Sequence, residues 1–176
     1  MLPNGNFEEA PQSWAVVGGV IIGQDLLPKW KIGGLVEYIS SGEKPNQMLL
    51  VVPHDGHAVR LGNCGMISQL IQGLKKGSFY SLSFSVAKTC TKPENLNVSI
   101  IPYSQVLPMK TVYDSSGWDT YAWGFKAVAD THEVMLLNPD NDFDIPNCGP
   151  LVDGVAINEI TPTQSKIVKG ELINMV

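Results

Sequence analysis

The stretch Tyr80-Ser81-Leu82-Ser83-Phe84-Ser85-Val86 decides the fold class. Apolar residues and serines alternate without a break, so a β-strand here buries one face and shows a polar one. The same period of two recurs at Leu96, Val98 and Ile100, at Tyr121, Trp123 and Phe125, and at Val134 and Leu136. Gln47 to Val52 and Ala58 to Leu61 flank Pro53-His54-Asp55-Gly56, where Asp-Gly signals a turn. Leu35 to Ile39 and Leu151 to Ile157 complete the strand set. Helical periodicity is scarce. Gly62 to Leu74 is the best helical candidate, and it reads equally as a strand ending in a turn at Gly73. Many short strands separated by 17 glycines and 12 prolines predict an all-β, antiparallel sandwich or barrel. A jelly-roll sandwich needs about this length.

Composition agrees with one folded domain. The chain has 176 residues, 44% hydrophobic and 16% charged, which describes an ordered globular protein. Its net charge of −5 disfavours nonspecific nucleic-acid binding, which needs Lys and Arg to neutralise phosphates. No apolar run reaches the roughly 20 residues that span a bilayer. Met1 stands directly before Leu2-Pro3-Asn4, without the basic stretch and apolar core of a secretory leader. No two of Cys64, Cys90 and Cys148 are close enough for a C-x-x-C motif, and an odd count leaves at least one unpaired within the chain. Residues 161–176 lack a strand pattern and read as a linker or a loosely packed end.

Two terminal segments carry the strongest cation signal. Leu2-Pro3-Asn4-Gly5-Asn6-Phe7-Glu8-Glu9 sets carboxylates beside a glycine turn, and Asp153 interrupts the apolar run Leu151 to Ile157. By spacing alone, Asp153 shares the face of Leu151, Val155 and Ile157, where a carboxylate must find a partner. Gly5, Glu8 and Asp153 could share a cation if the ends meet. The alternative is that Asp153 hydrogen-bonds backbone amides and Glu8 is solvated. Other acidic and histidine groups are weaker. Asp140-Asn141-Asp142-Phe143-Asp144 opens like an EF-hand loop, but Ile145 replaces the required glycine and Leu151 the final glutamate. His54, Asp55 and His57 read as an ordinary surface hairpin more than a metal site. Nucleophile elbow, zincin, phosphate-loop and dinucleotide motifs are absent.

Ligand contacts point to aromatics, because sugar C–H faces stack on rings while hydroxyls need polar partners. Tyr38, Trp118 and Trp123 are candidates, with most aromatics expected in the core. Glu37 and Arg60 are strand-borne charges that form either a polar platform or a mutual pair. Asn97-Val98-Ser99 is a glycosylation sequon with Asn97 on the parity opposite Leu96 and Val98.

The chain resembles the plant cell-wall proteins of the domain of unknown function 642. The resemblance rests on Leu2-Pro3-Asn4-Gly5-Asn6-Phe7-Glu8, Gly34-Leu35-Val36-Glu37-Tyr38-Ile39 and Ala58-Val59-Arg60-Leu61-Gly62-Asn63. It continues through Gly117-Trp118-Asp119-Thr120-Tyr121-Ala122-Trp123 and Cys148-Gly149-Pro150-Leu151-Val152-Asp153. It implies a galactose-binding-like jelly roll over residues 1–160, the first of two tandem domains, with 161–176 a linker or a degraded start of the second. It further implies secretion to the cell wall and a non-catalytic role. The expected partner is a cell-wall polysaccharide such as pectin or cellulose, or alternatively pectin methylesterase, which the domain would recruit or modulate. Cysteines stand in the family at the positions of Cys90 and Cys148, which implies a disulfide; Cys64 is expected to be buried or half-buried. The Gly5, Glu8 and Asp153 set is similar to the structural calcium site of many carbohydrate-binding modules with this fold.

Overall fold

A computed structural model describes residues 2–42, 52–110, 117–140 and 148–161. A short 3₁₀ turn, Ser13–Ala15, leads into a ribbon of β1 (Val16–Val17) and β2 (Val20–Ile21). Then come β3 (Lys31–Gly33), β4 (Val36–Ser40), β5 (His57–Leu61), β6 (Met66–Ile71) and β7 (Phe79–Lys88). The chain continues with β8 (Asn95–Ile100), β9 (Tyr103–Pro108), β10 (Asp119–Lys126), β11 (His132–Leu137) and β12 (Pro150–Ile160). Two antiparallel sheets result. One runs β1-β2-β4-β5-β12-β7-β10 and the other β3-β6-β11-β8-β9.

The serine alternation does what its period requires. Tyr80, Leu82, Phe84 and Val86 all lie in the core between the sheets, and each such burial contributes about 1.5–3 kcal/mol. Leu96, Val98 and Ile100 face them from β8, with Val134 and Leu136 from β11. The ambiguous stretch after Gly62 is the strand β6, which pairs with β11 from Met66↔Leu137 to Ile71↔His132. Gly73 follows with φ +82, the left-handed turn that a glycine allows. β9, which the alternation did not predict, is an edge strand ending in Pro108, where a missing N–H costs no ladder bond. Residues 43–51, most of the Gln47 to Val52 run, and 141–147, most of the acidic loop, lie outside the described residues, as do 162–176.

β12 departs from simple parity. Its register against β7 shifts between Asp153 (opposite Ser85) and Ala156 (opposite Ser83), a bulge in which Gly154 takes φ +60. The extra residue switches faces. Val152, Val155 and Ile157 all enter the main core. Leu151 joins Ile39 and Ala87 in a separate cluster, and Asp153, opposite Ser85, stands on that same outer face of the larger sheet. The expectation that Asp153 shares a face with Val155 and Ile157 is therefore corrected: spacing counts residues, and a bulge adds one.

Candidate functional site

The two ends of the domain meet along β12. Asn4 (φ +50) starts a tight turn, with its side chain bonded to Glu9 N (2.9 Å), Glu9 O (3.1 Å) and Pro28 O (2.9 Å). The Trp30 indole donates to Asn4 O at 2.8 Å. Val155 N then donates to Gly5 O at 2.8 Å. A Cβ on Gly5 would stand 1.8 Å from Val155 O, so only glycine permits this approach.

The same turn carries Glu8 to the start of β5. Its Oε1 accepts from Gly56 N (2.8 Å) and His57 N (2.7 Å), and its Oε2 faces His57 Nδ1 at 2.7 Å. Burial works to raise the Glu8 pKa, but these donors outweigh it and hold the carboxyl below its ordinary value. Asp153 is fully buried and accepts from Gly154 N (2.6 Å) and His54 N (3.1 Å). There burial dominates, and the Asp153 pKa is pushed up to about 6. Both carboxylates thus grip the 54–57 turn from opposite sides.

This geometry tests the calcium expectation. Calcium takes six to eight oxygens. Here N–H groups point at each carboxylate oxygen of Glu8 and Asp153, and Gly5 O is taken by Val155 N. Each of the three groups thus has a hydrogen-bonding role of its own in holding the turn and the seam. His54, Asp55 and His57 do not converge as ligands: among the described residues the sole grouping of three side chains of that kind is Cys90, Glu94 and Cys148, and its two sulfurs are joined in a disulfide.

Between the N-terminal turn and the bulge lies an open cleft of about 390 Å³. It is lined by Leu2, Asn4, Asn6, His54, Asp55, Val155 and Ala156, with the backbone of Gly5 and Gly154. Asn6 Nδ2 donates to Asp55 Oδ2 at 2.9 Å across its mouth.

The predicted ligand residues divide between two faces. Glu37 and Arg60 are cross-strand partners and form an ion pair on the outer face of the larger sheet. They are 8% and 4% exposed, so they shape that face from below more than they reach solvent. Trp118 packs against the neighbouring Ile39, Ala87 and Leu151 cluster and stays half-exposed. Tyr38 points the other way. Its hydroxyl donates to Phe7 O at 2.7 Å and its ring stacks on His57 at 5.0 Å. Burial and the nearby Glu8 charge push its phenol pKa up. Trp123 also faces inward, packed on the core from edge strand β10. Three of the five residues therefore share a surface, and Tyr38 and Trp123 do not belong to it.

The profile of a family described as "Protein of unknown function (DUF642)" matches residues 1–158. The chain belongs to the DUF642 family. Among its relatives in Arabidopsis thaliana, Protein DUF642 L-GALACTONO-1,4-LACTONE-RESPONSIVE GENE 2 is 49% identical over 96% of this chain and 46% of its own length. Protein TEEBE is 46% identical over the same shares. The DUF642 chain thus spans about half the length of these curated relatives. Its galactose-binding-like jelly roll is shared with solved carbohydrate-binding modules. TmCBM61, solved in complex with β-1,4-galactotriose, superposes with a TM-score of 0.53 at 12% identity, covering 90% of this chain and 97% of that one. A CBM4 structure gives 0.51 at 14% identity, over 91% and 100%. At such identities the likeness is one of fold.

The DUF642 domain has its expected bridge. Cys90 and Cys148 form a disulfide with Cα atoms 5.5 Å apart, tying the end of β7 to the start of β12. Glu94 lies against it, 2% exposed, with Oε1 accepting from Cys90 N at 3.1 Å and Oε2 without a hydrogen-bond partner among the described residues. Nothing in the sequence singles out Glu94, because its burial comes from the bridge folding back over it. Cys64 is free and exposed, at φ +49 in a turn, which corrects the expectation of a buried thiol. Asn97 is half-buried on the outer face of the five-stranded sheet, between Leu137 and Val106 on the flanking strands.

Proposed function

We propose that this DUF642 chain is a non-catalytic carbohydrate-binding domain that acts, secreted, in the plant cell wall on a polysaccharide such as pectin or cellulose. The observation that carries this reading is the half-exposed Trp118, packed against the Ile39, Ala87 and Leu151 cluster on the outer face that also carries the Glu37–Arg60 pair. A flat ring held by packing offers a stacking surface without having to be ordered on binding. The buried ion pair ties β4 to β5 on that face. The shared fold of the galactotriose-bound module supports the same reading. In a secreted chain, Asn97 is the residue the sequon would offer for glycosylation.

The test is a glycan array of neutral and acidic wall oligosaccharides, followed by calorimetry on the strongest hit. Trp118→Ala should weaken that binding at least tenfold. Silence across the array, or full affinity in Trp118→Ala, refutes the reading. One observation favours the alternative protein-contact role: Trp14, Val17 and Ile22 stand 65%, 61% and 57% exposed around the β1–β2 ribbon. Titration of purified pectin methylesterase, with Trp14→Ala as control, checks it.

A further inference from the structure

We infer that the cleft at the seam of the domain is a second binding site, sized for one or two sugar rings of a neutral glycan. The inference rests on the carbohydrate reading but places a contact far in sequence from Trp118. At about 390 Å³ the cleft falls near the lower end of ligand pockets, which run from about 300 to 1,000 Å³.

Its lining has two characters, as a pyranose has. Leu2, Val155 and Ala156 give apolar surface for a ring's C–H face. Asn6, Asp55 and His54 give planar polar groups for its hydroxyls. Asn6 Nδ2 is committed to Asp55 Oδ2. That bond orients the pair and leaves Asn6 Oδ1 and Asp55 Oδ1 as acceptors toward which adjacent sugar hydroxyls can donate. Charge selects the class. Asp55 lines the cleft, and the Glu8 and Asp153 carboxylates hold the turn that forms its wall. An acidic sugar would bring a fourth negative group to the same place, so a neutral glycan is the better match.

The cleft is also preformed. The His54 ring lies directly on Gly154, where a Cβ would come 2.5 Å from His54 Cδ2. The His54 backbone is anchored to Asp153 and the Gly56 and His57 amides to Glu8. Asp55 sits at φ +55, a region that Asp and Asn tolerate best among residues with a Cβ. The polar wall is thus built before ligand arrives, which lowers the ordering cost of binding.

Amide NMR titration of the chain decides the matter, with β-1,4-galactotriose, xylotetraose and cellotetraose as neutral probes and trigalacturonate as the acidic one. Saturable shifts at residues 4–6, 54–56 and 154–156 with a neutral probe are expected. Asp55→Asn, which keeps the left-handed turn, and Asn6→Ala should each raise the Kd read at those amides at least tenfold, their spectra reporting that both fold. Shifts confined to the surroundings of Trp118 overturn the second site and leave the proposed function standing. No response to any probe overturns both. A stronger cleft response to trigalacturonate than to every neutral probe overturns the assigned class.

Discussion

Replacing Glu94 by Gln should flatten the pH dependence of stability. Glu94 is buried against the Cys90–Cys148 bridge, and one of its carboxylate oxygens has no hydrogen-bond partner among the described residues. Burial is the largest influence on it. The Cys90 amide and the Lys88 and Lys92 charges pull the other way without winning, and the pKa is pushed up to about 7. The unfolded chain holds a glutamate near 4.3. A folded pKa above the unfolded one gives stability that is fully present below about pH 4 and is lost as pH rises through 7. A gap of about 2.5 units at 1.36 kcal/mol each makes that loss about 3 kcal/mol between pH 4 and pH 8. Asp153 has the same sign with its midpoint near 6. Glu8, held below its ordinary value, has the opposite sign and withdraws support only as pH falls under about 4. Stability should therefore peak near pH 4 and fall from there upward. At about 2–4 °C per kcal/mol for a chain of this size, the Glu94 contribution alone lowers Tm by about 6–12 °C from pH 4 to pH 8. Differential scanning fluorimetry across that range measures it. Glu94→Gln should melt above wild type at pH 8, about level with it at pH 4, and show a visibly shallower slope. Parallel curves for the two proteins would refute the reasoning, as would a wild-type Tm that is flat or rising toward pH 8.

Gly154→Ala forces a Cβ into the left-handed region and into the His54 ring; it should cost about 2 kcal/mol or more and appear as a lower Tm with shifted amides at 53–57. Reducing the Cys90–Cys148 bridge, which closes a span of 58 residues, should destabilise the domain by about 4 kcal/mol on the chain-entropy model, measured by urea unfolding with and without reductant. Adding millimolar calcium to chelator-treated protein should leave Tm unchanged, because Glu8 and Asp153 already have N–H partners that hold the turn; a calcium-dependent rise would show that they hold the ion as well.

The strands were legible wherever side chains alternate between water and core. Tyr80 to Val86 sets four residues inward and three serines outward, and the structure keeps that division. The period failed where the backbone adds a residue. Gly154 lies within an apolar run and its spacing does not reveal a bulge, so Asp153 was assigned to the wrong face. Glu37 and Arg60 were legible as a pair because both sit on regular strands, and register does the rest. Tyr38 and Trp123 were not legible as inward residues, since an aromatic suits a core and a sugar platform equally. The cleft residues come from three separate segments, Asn6, His54–Asp55 and Val155–Ala156. Only the tertiary seam brings them together. The available signal was the density of Asn, Asp and Gly at 4–6 and 54–56, which marks turns without saying that two turns touch.

The two carboxylates explain why stability and ligand contact should be coupled at that seam. Glu8 and Asp153 belong to opposite ends of the domain, yet each sets one oxygen on amides of the same turn, Glu8 on Gly56 and His57 and Asp153 on His54. The turn carries His54 and Asp55, which form the polar wall of the cleft. Anything that loosens either anchor moves the wall before it unfolds the sandwich, because β12 stays paired to β7 on both sides of the bulge. Protonation loosens them in sequence: Asp153 near pH 6, and Glu8 only below the ordinary carboxylate range. Affinity at the cleft should accordingly fall between pH 7 and pH 5, while Tm climbs over the same interval as Glu94 takes up its proton. Opposite trends in two quantities, one following Asp153 at the bulge and the other Glu94 beside the disulfide, would separate a binding seam from a purely structural one. Affinity that rises along with Tm would make the seam structural alone.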